Sequence, residues 1–87
     1  MAVVWIPALL RDLTGNQESV TAAGTTIREI IDSLESAYPG IRARLCDANE
    51  LRPGIAVAVG TQITRRGLAQ RVDDHSEIHF LPAISGG

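Results

Sequence analysis

The sequence has no lysine. All eight of its basic side chains are arginines, so the amine of Met1 is the only one on these residues open to acylation. Genomic base composition accounts for such a bias, since nothing in the chemistry of the guanidinium group demands an arginine-only surface. Cysteine is almost missing as well. Cys46 stands alone, which excludes an internal disulfide, makes packing the source of stability and points to a cytoplasmic setting. The aromatics are Trp5, Tyr38 and Phe80, too few to line a pocket for a base or an organic cofactor, and no bound cofactor is expected. Basic excess is absent too: net charge is −2, with only Arg65 and Arg66 adjacent, which excludes a nucleic-acid footprint. The apolar start "MAVVWIPALL" is far shorter than a membrane span and carries no basic leader, so neither secretion nor a membrane is expected.

What is present is a globular balance, 45% hydrophobic and 21% charged over 87 residues, enough for one small domain with one modest core. "AVVWIPALL" is β-branched and bounded by Pro7, a strand with Val4 and Ile6 on one face and Val3 and Trp5 on the other. "RDLTGNQ" supplies turn chemistry through Gly15 and Asn16, and "ESVTAA" resumes a strand, so a hairpin with a short loop is predicted. "GTTIREIIDSLESAYPG" is the clearest helix: Thr26 and Glu29 form a capping box, and Ile27, Ile30, Ile31, Leu34 and Ala37 or Tyr38 form one apolar stripe. "IRARL" reads as a further turn of helix, and "CDANELRPG" as a polar loop. "IAVAVGTQITRRG" reads as two strands meeting at Gly60–Thr61. "DDHS" is a turn, and "EIHFL" alternates Ile78 and Phe80 inward against Glu77, His79 and Leu81 outward. Pro82, with no N–H to donate, ends that strand.

The order is α+β: a mixed sheet of four to five strands over one main helix, a β-grasp domain over residues 1–81 with an extended tail over 82–87. A right-handed crossover through the helix lets the element after it lie parallel to the first strand. Other constellations fare poorly. His75 and His79 flank acidic residues but do not converge as they would on one helix face, so no metal site is expected. Cys46 has only Arg44 as a near basic partner, which reads as a plain free thiol rather than a sulfur relay. No catalytic triad or carboxylate pair is readable, and the chain is not expected to be an enzyme.

With these elements in order, the sequence resembles the ubiquitin-like sulfur carriers of the ThiS/MoaD superfamily. "IPALLRDLTG" is similar to their first strand and turn, "TTIREIIDSLESAYPGIRARL" to their helices, and "DDHSEIHFLPAISGG" to their acidic turn, last strand and tail. Two positions depart from the pattern: Asp74-His75 stands where many relatives have Asp-Gly, so that His75 would need the bridge or left-handed region, and Gly60 stands where Asn is common. The resemblance implies that the Gly87 carboxylate is adenylated by an activating enzyme (ThiF/MoeB-like) using ATP, and that a sulfur donor turns it into a thiocarboxylate. It implies too that Pro82, Ala83, Ile84, Ser85 and Gly86 thread a partner's channel. Extended, the six residues from Pro82 to Gly87 reach roughly 20 Å, and glycine passes where a Cβ would not.

Leu81 is the outward apolar residue at the root of the tail, and Trp5 and Pro7 join it as candidates for a partner-docking patch. For Trp5, ordinary cross-strand packing is an equal alternative. The cysteine-biosynthesis (CysO-like) branch is the most similar, with a pyridoxal-phosphate (PLP) sulfhydrylase as sulfur acceptor. Next comes the molybdopterin (MoaD-like) branch, where the acceptor is the molybdopterin synthase large subunit. A protein modifier joined to lysines through Gly87 and an interaction domain with an inert tail are the other readings. The free protein is expected to be a monomer.

Overall fold

The computed structural model describes residues 1–82, Pro82 by its backbone alone. In chain order the elements are β1 (Ala2–Trp5), β2 (Ser19–Ala22), α1 (Ile27–Ala37), α2 (Ile41–Leu45), β3 (Cys46–Asp47), β4 (Glu50–Leu51), β5 (Ile55–Val59), β6 (Gln62–Ile63) and β7 (Glu77–Pro82), with 3-10 turns at Ala8–Leu10 and Gly67–Ala69. Five strands form one mixed sheet in the order β2-β1-β7-β5-β6, and β3 and β4 make a separate small hairpin. This is the β-grasp arrangement expected.

Helix α1 forms for the reasons its sequence states, with one adjustment at the cap. The Thr26 hydroxyl accepts the Glu29 N–H at 3.2 Å, while the Glu29 carboxylate accepts the N–H and hydroxyl of Thr25 at 2.8 and 3.0 Å. The return arm of the box therefore lands one residue before the cap. Ile27, Ile30, Ile31 and Leu34 are buried against the sheet, each stabilising the fold by about 1.5–3 kcal/mol relative to exposure. The stripe closes on half-buried Tyr38, with Ala37 exposed. Gly40, at φ +104°, breaks the helix, and α2 then buries Ile41 and Leu45 completely.

Gly24 marks where the chain enters α1 at close quarters. A Cβ there would lie 2.8 Å from Glu29 Cβ and 2.9 Å from the Ile30 nitrogen, so only glycine fits.

Three expectations are corrected. The link between β1 and β2 is not a short hairpin loop: residues 6–18 hold a 3-10 turn whose Leu10 enters the core and a buried Thr14 whose hydroxyl donates to Gln17 O at 3.2 Å. "CDANELRPG" is not all loop: residues 46–51 form the β3–β4 hairpin, turned by Ala48 at φ +58°, and Cys46 is buried. The parallel partner of β1 is β7, not the next long strand after the helix. Val4 sits opposite Ile78 in that parallel pair, and β5 runs antiparallel to β7 on its other side.

The acidic turn before β7 needs no left-handed residue. Asp73 Oδ1 accepts the His75 N–H at 2.8 Å and Ser76 closes back on Asp73, while His75 stays out of positive φ. Gly60 takes φ +62° at the β5–β6 turn, the role foreseen for it. β7 then runs through Pro82, which pairs with Ile55. Since the Gly60 N–H donates to Glu77 O, the two-residue ladder period puts the bonded pairs at 60/77, 58/79 and 56/81. Pro82, opposite Ile55, lies one position past the last of them in a non-bonded pair, and its missing N–H costs β5 nothing.

Candidate functional site

The site is built at the C-terminal end of β7, the last of the described strands. Alternation buries Ile78 and Phe80 and turns Glu77, His79 and Leu81 to the outer face. Their neighbours on β5, Ala56 opposite Leu81 and Ala58 opposite His79, are too small to cover them. On the β1 side Trp5 lies opposite His79. The two rings stack with centroids 5.9 Å apart and planes 6° from parallel, and the indole Nε1–H donates to Glu77 Oε1 at 3.0 Å. Cross-strand packing of Trp5 is thus present. It does not finish the residue, because 38% of Trp5 and 37% of Leu81 remain exposed, an unusual outlay of apolar surface beside a strand end.

Two grooves flank that end. One of about 190 Å³ runs between Trp5, Pro7, Arg11, Glu18, His79 and Leu81. The other, about 290 Å³ with apolar walls, lies between Pro7, Ala8, Leu9, Gly54, Ile55 and Leu81. Pro7 and Leu81 border both and form the ridge between them, with Phe80 beneath. The structure therefore brings together Leu81, Trp5 and Pro7. The roles assigned to Ala83, Ile84, Ser85, Gly86 and Gly87, and to the Pro82 ring, lie outside the described residues.

Leu9 was missed. At 74% exposure it stands on the rim of the apolar groove. The signal was the pair Leu9–Leu10, since a 3-10 turn that buries Leu10 must point its predecessor outward. Arg11 was missed as well; its Nε donates to Ile6 O at 3.1 Å, which holds the turn against β1 and places a cation on the rim.

Glu35, Glu29 and Cys46 belong to the scaffold. Glu35 accepts the N–H groups of Arg42 and Gly40, and those bonds hold its carboxyl below the usual range. Glu29 is lowered likewise by its bonds to Thr25. Burial pushes the Cys46 thiol up, against the pull of Arg42, Arg28 and Arg52, so it stays protonated and poorly nucleophilic. Among the described residues no group of three or more His, Cys, Asp or Glu is placed to hold a metal, and no helix is long and apolar enough to cross a membrane.

Comparison with known proteins gives likenesses over most or all of the chain. The model of the ThiS family matches residues 4–87. The sulfur carrier protein CysO of Mycobacterium tuberculosis is 38% identical over 89 residues, covering 97% of this chain and 96% of that protein. The crystal structure of the Amycolatopsis orientalis BexX/CysO complex contains a chain that superposes with TM-score 0.92 at 42% identity, with both chains covered in full. A further relative, the small archaeal modifier protein 3 of Haloferax volcanii, is 30% identical over 71% of this chain and 70% of its own.

Proposed function

The chain belongs to the ThiS family, and we infer that it works as a sulfur carrier of the cysteine-biosynthesis type, a protein co-substrate and not an enzyme. The observation that carries this reading is the position of the end of β7 at the ridge formed by Pro7 and Leu81, between two grooves, in a chain 38% identical to a sulfur carrier along nearly all of its length. A partner that covers Trp5, Leu81 and Leu9 holds the domain so that the tail can enter its own site.

In the chemistry proposed, a Gly87 carboxylate oxygen attacks the α-phosphorus of ATP on an activating enzyme, and pyrophosphate leaves. A carboxylate is a poor electrophile until this mixed anhydride forms. A sulfur nucleophile from the donor then attacks the acyl carbon and AMP departs, leaving a thiocarboxylate. That soft anionic sulfur adds to an aminoacrylate held on pyridoxal phosphate in a sulfhydrylase, and hydrolysis of the resulting linkage releases cysteine and restores the Gly87 carboxylate. ATP is a substrate of the activating enzyme in this scheme, and the carrier supplies the terminus and the docking surface.

Intact-mass spectrometry after incubation with ATP, a cognate activating enzyme and a sulfide source tests it. Replacement of one oxygen by sulfur, lost on deletion of Gly87, is the expected outcome; an unchanged mass with a competent enzyme refutes it. Offering the thiocarboxylate to a PLP sulfhydrylase and, separately, to a molybdopterin synthase large subunit decides the pathway. The likeness to an archaeal modifier favours one second reading, in which Gly87 is joined to lysine amines of other proteins. It predicts isopeptide adducts when the activating enzyme is supplied with ATP and target proteins.

A further inference from the structure

On the flank of the molecule beyond β6 lies a cleft that shares no residue with the grooves at Leu81. Its open volume is about 390 Å³, and it is bounded by the first turn of α1, the β3–β4 hairpin and the 3-10 turn at Gly67–Ala69. Arg28, Arg65 and Arg66 form its rim, and Leu51 and Leu68 are among its apolar lining residues. The protein as a whole carries net charge −2, so three guanidinium groups at one cleft are a local concentration. The ion pairs among the described residues use Met1, Arg42 and Arg44 as cations, and none uses these three.

The rim is fixed in place by the chain itself. Thr64 Oγ1 donates to Gln70 Oε1 and accepts the Arg66 N–H at 3.0 Å. The Ala69 N–H returns to Arg66 O and the Gln70 N–H to Gly67 O. Arg65 and Arg66 thus sit on a closed, hydrogen-bonded turn, exposed. Arg28 is steadied from the other wall by its Nη2–H bond to Asn49 O at 3.2 Å. Ordering costs that a flexible basic loop would incur on binding are already met here.

We infer that this cleft docks an acidic segment of a partner protein, its carboxylates on the forks of Arg65, Arg66 and Arg28 and one apolar side chain on Leu51 and Leu68. Guanidinium forks match carboxylates in a bidentate manner, and an apolar floor within a charged rim suits a peptide side chain. A polyphosphate fits less well, because a continuous run of phosphates has nothing apolar to set on Leu51 and Leu68. Because the cleft is separate from the Trp5–Leu81 surface, it stays open while the tail end is engaged. The inference does not depend on which reaction the tail performs.

The probe is a short blocked peptide of glutamates flanking a single leucine, titrated into the ¹⁵N-labelled full chain. Amide shifts confined to residues 28, 49–51 and 65–69, weakening as salt rises, are expected. The double variant Arg65→Glu/Arg66→Glu should bind the peptide at least about tenfold more weakly with an unchanged thermal melt, while Arg44→Gln binds as before. Replacing the leucine of the peptide by serine should also weaken binding. Shifts scattered over all arginines, shifts at Trp5 and Leu81, or indifference to the charge reversal overturn the inference. So does tighter binding of inorganic phosphate or of a single-stranded oligonucleotide at the same residues.

Discussion

Replacing Trp5 by alanine separates the cross-strand packing that the structure shows for that side chain from the docking role proposed for it. Tryptophan can bury roughly 250 Å², and 38% of it is exposed in the free protein, which leaves about 95 Å² for a partner to cover. At about 25 cal/mol per Å² that area is worth about 2.4 kcal/mol, or about fiftyfold in affinity if covered completely. Partial cover brings the expected loss to between about tenfold and about fiftyfold. The folded state loses the stack on His79, the bond to Glu77 and the apolar cover of the roughly 155 Å² of side chain already buried, about 3–5 kcal/mol together. The melting temperature should then fall by at least roughly 12 °C in a domain of this size, so the binding comparison is made at a temperature below the variant's melt. Calorimetric titration of wild type and Trp5→Ala against the cognate activating enzyme, with circular dichroism as the folding control, measures both effects. Since Trp5 is the only tryptophan of the chain, fluorotryptophan labelling also reports directly whether the ring is covered in the complex. A folded variant that binds as tightly as wild type refutes the docking role and leaves Trp5 as cross-strand cover alone.

Two further outcomes concern the scaffold. The Glu35 carboxyl is held below its ordinary range by the N–H groups of Arg42 and Gly40. Its contribution to stability is therefore full above the ordinary glutamate range and lost as the pH falls through that range and below it. Glu35→Gln should flatten that acid limb in denaturant titrations across the same window, and a limb as steep as in wild type would show that other groups govern it. Gly24→Ala places a Cβ within 3 Å of Glu29 Cβ and the Ile30 nitrogen, where backbone cannot yield. The expected cost is about 2 kcal/mol or more, seen as a melt lowered by roughly 10 °C; an unchanged melt would mean that the entry into α1 shifts freely.

The elements whose signals are local were legible in the residues alone. The Ile27–Leu34 stripe, the α2 turn and the alternation of β7 each follow from spacing within a few residues, and the resemblance of the tail sequence pointed to the family that the comparisons then showed. What was not legible is set by contacts distant in sequence. The pairing of β1 with β7 rather than with the strand after the helix is a choice of partner across most of the chain, and no residue of β1 encodes it. Cys46 looked like a loop residue because its neighbours are polar; α2 and the hairpin after it bury its side chain. Leu81, Trp5 and Pro7 could each be read as outward-facing, but their meeting on one ridge depends on the register that sets Trp5 opposite His79. Arg65–Arg66 looked like an isolated pair until the fold brought Arg28 to the same cleft.

The position of β7 has a mechanical consequence. The segment that leads to the tail is the middle strand of the sheet, bonded to β1 on one side and β5 on the other. A pull on the tail is therefore borne in shear by two ladders at once, so their bonds must yield together instead of peeling singly from an edge. Central strands open only near the global unfolding limit, so a partner can haul on this tether, bind the far end and let go without loosening the body to which it is tied.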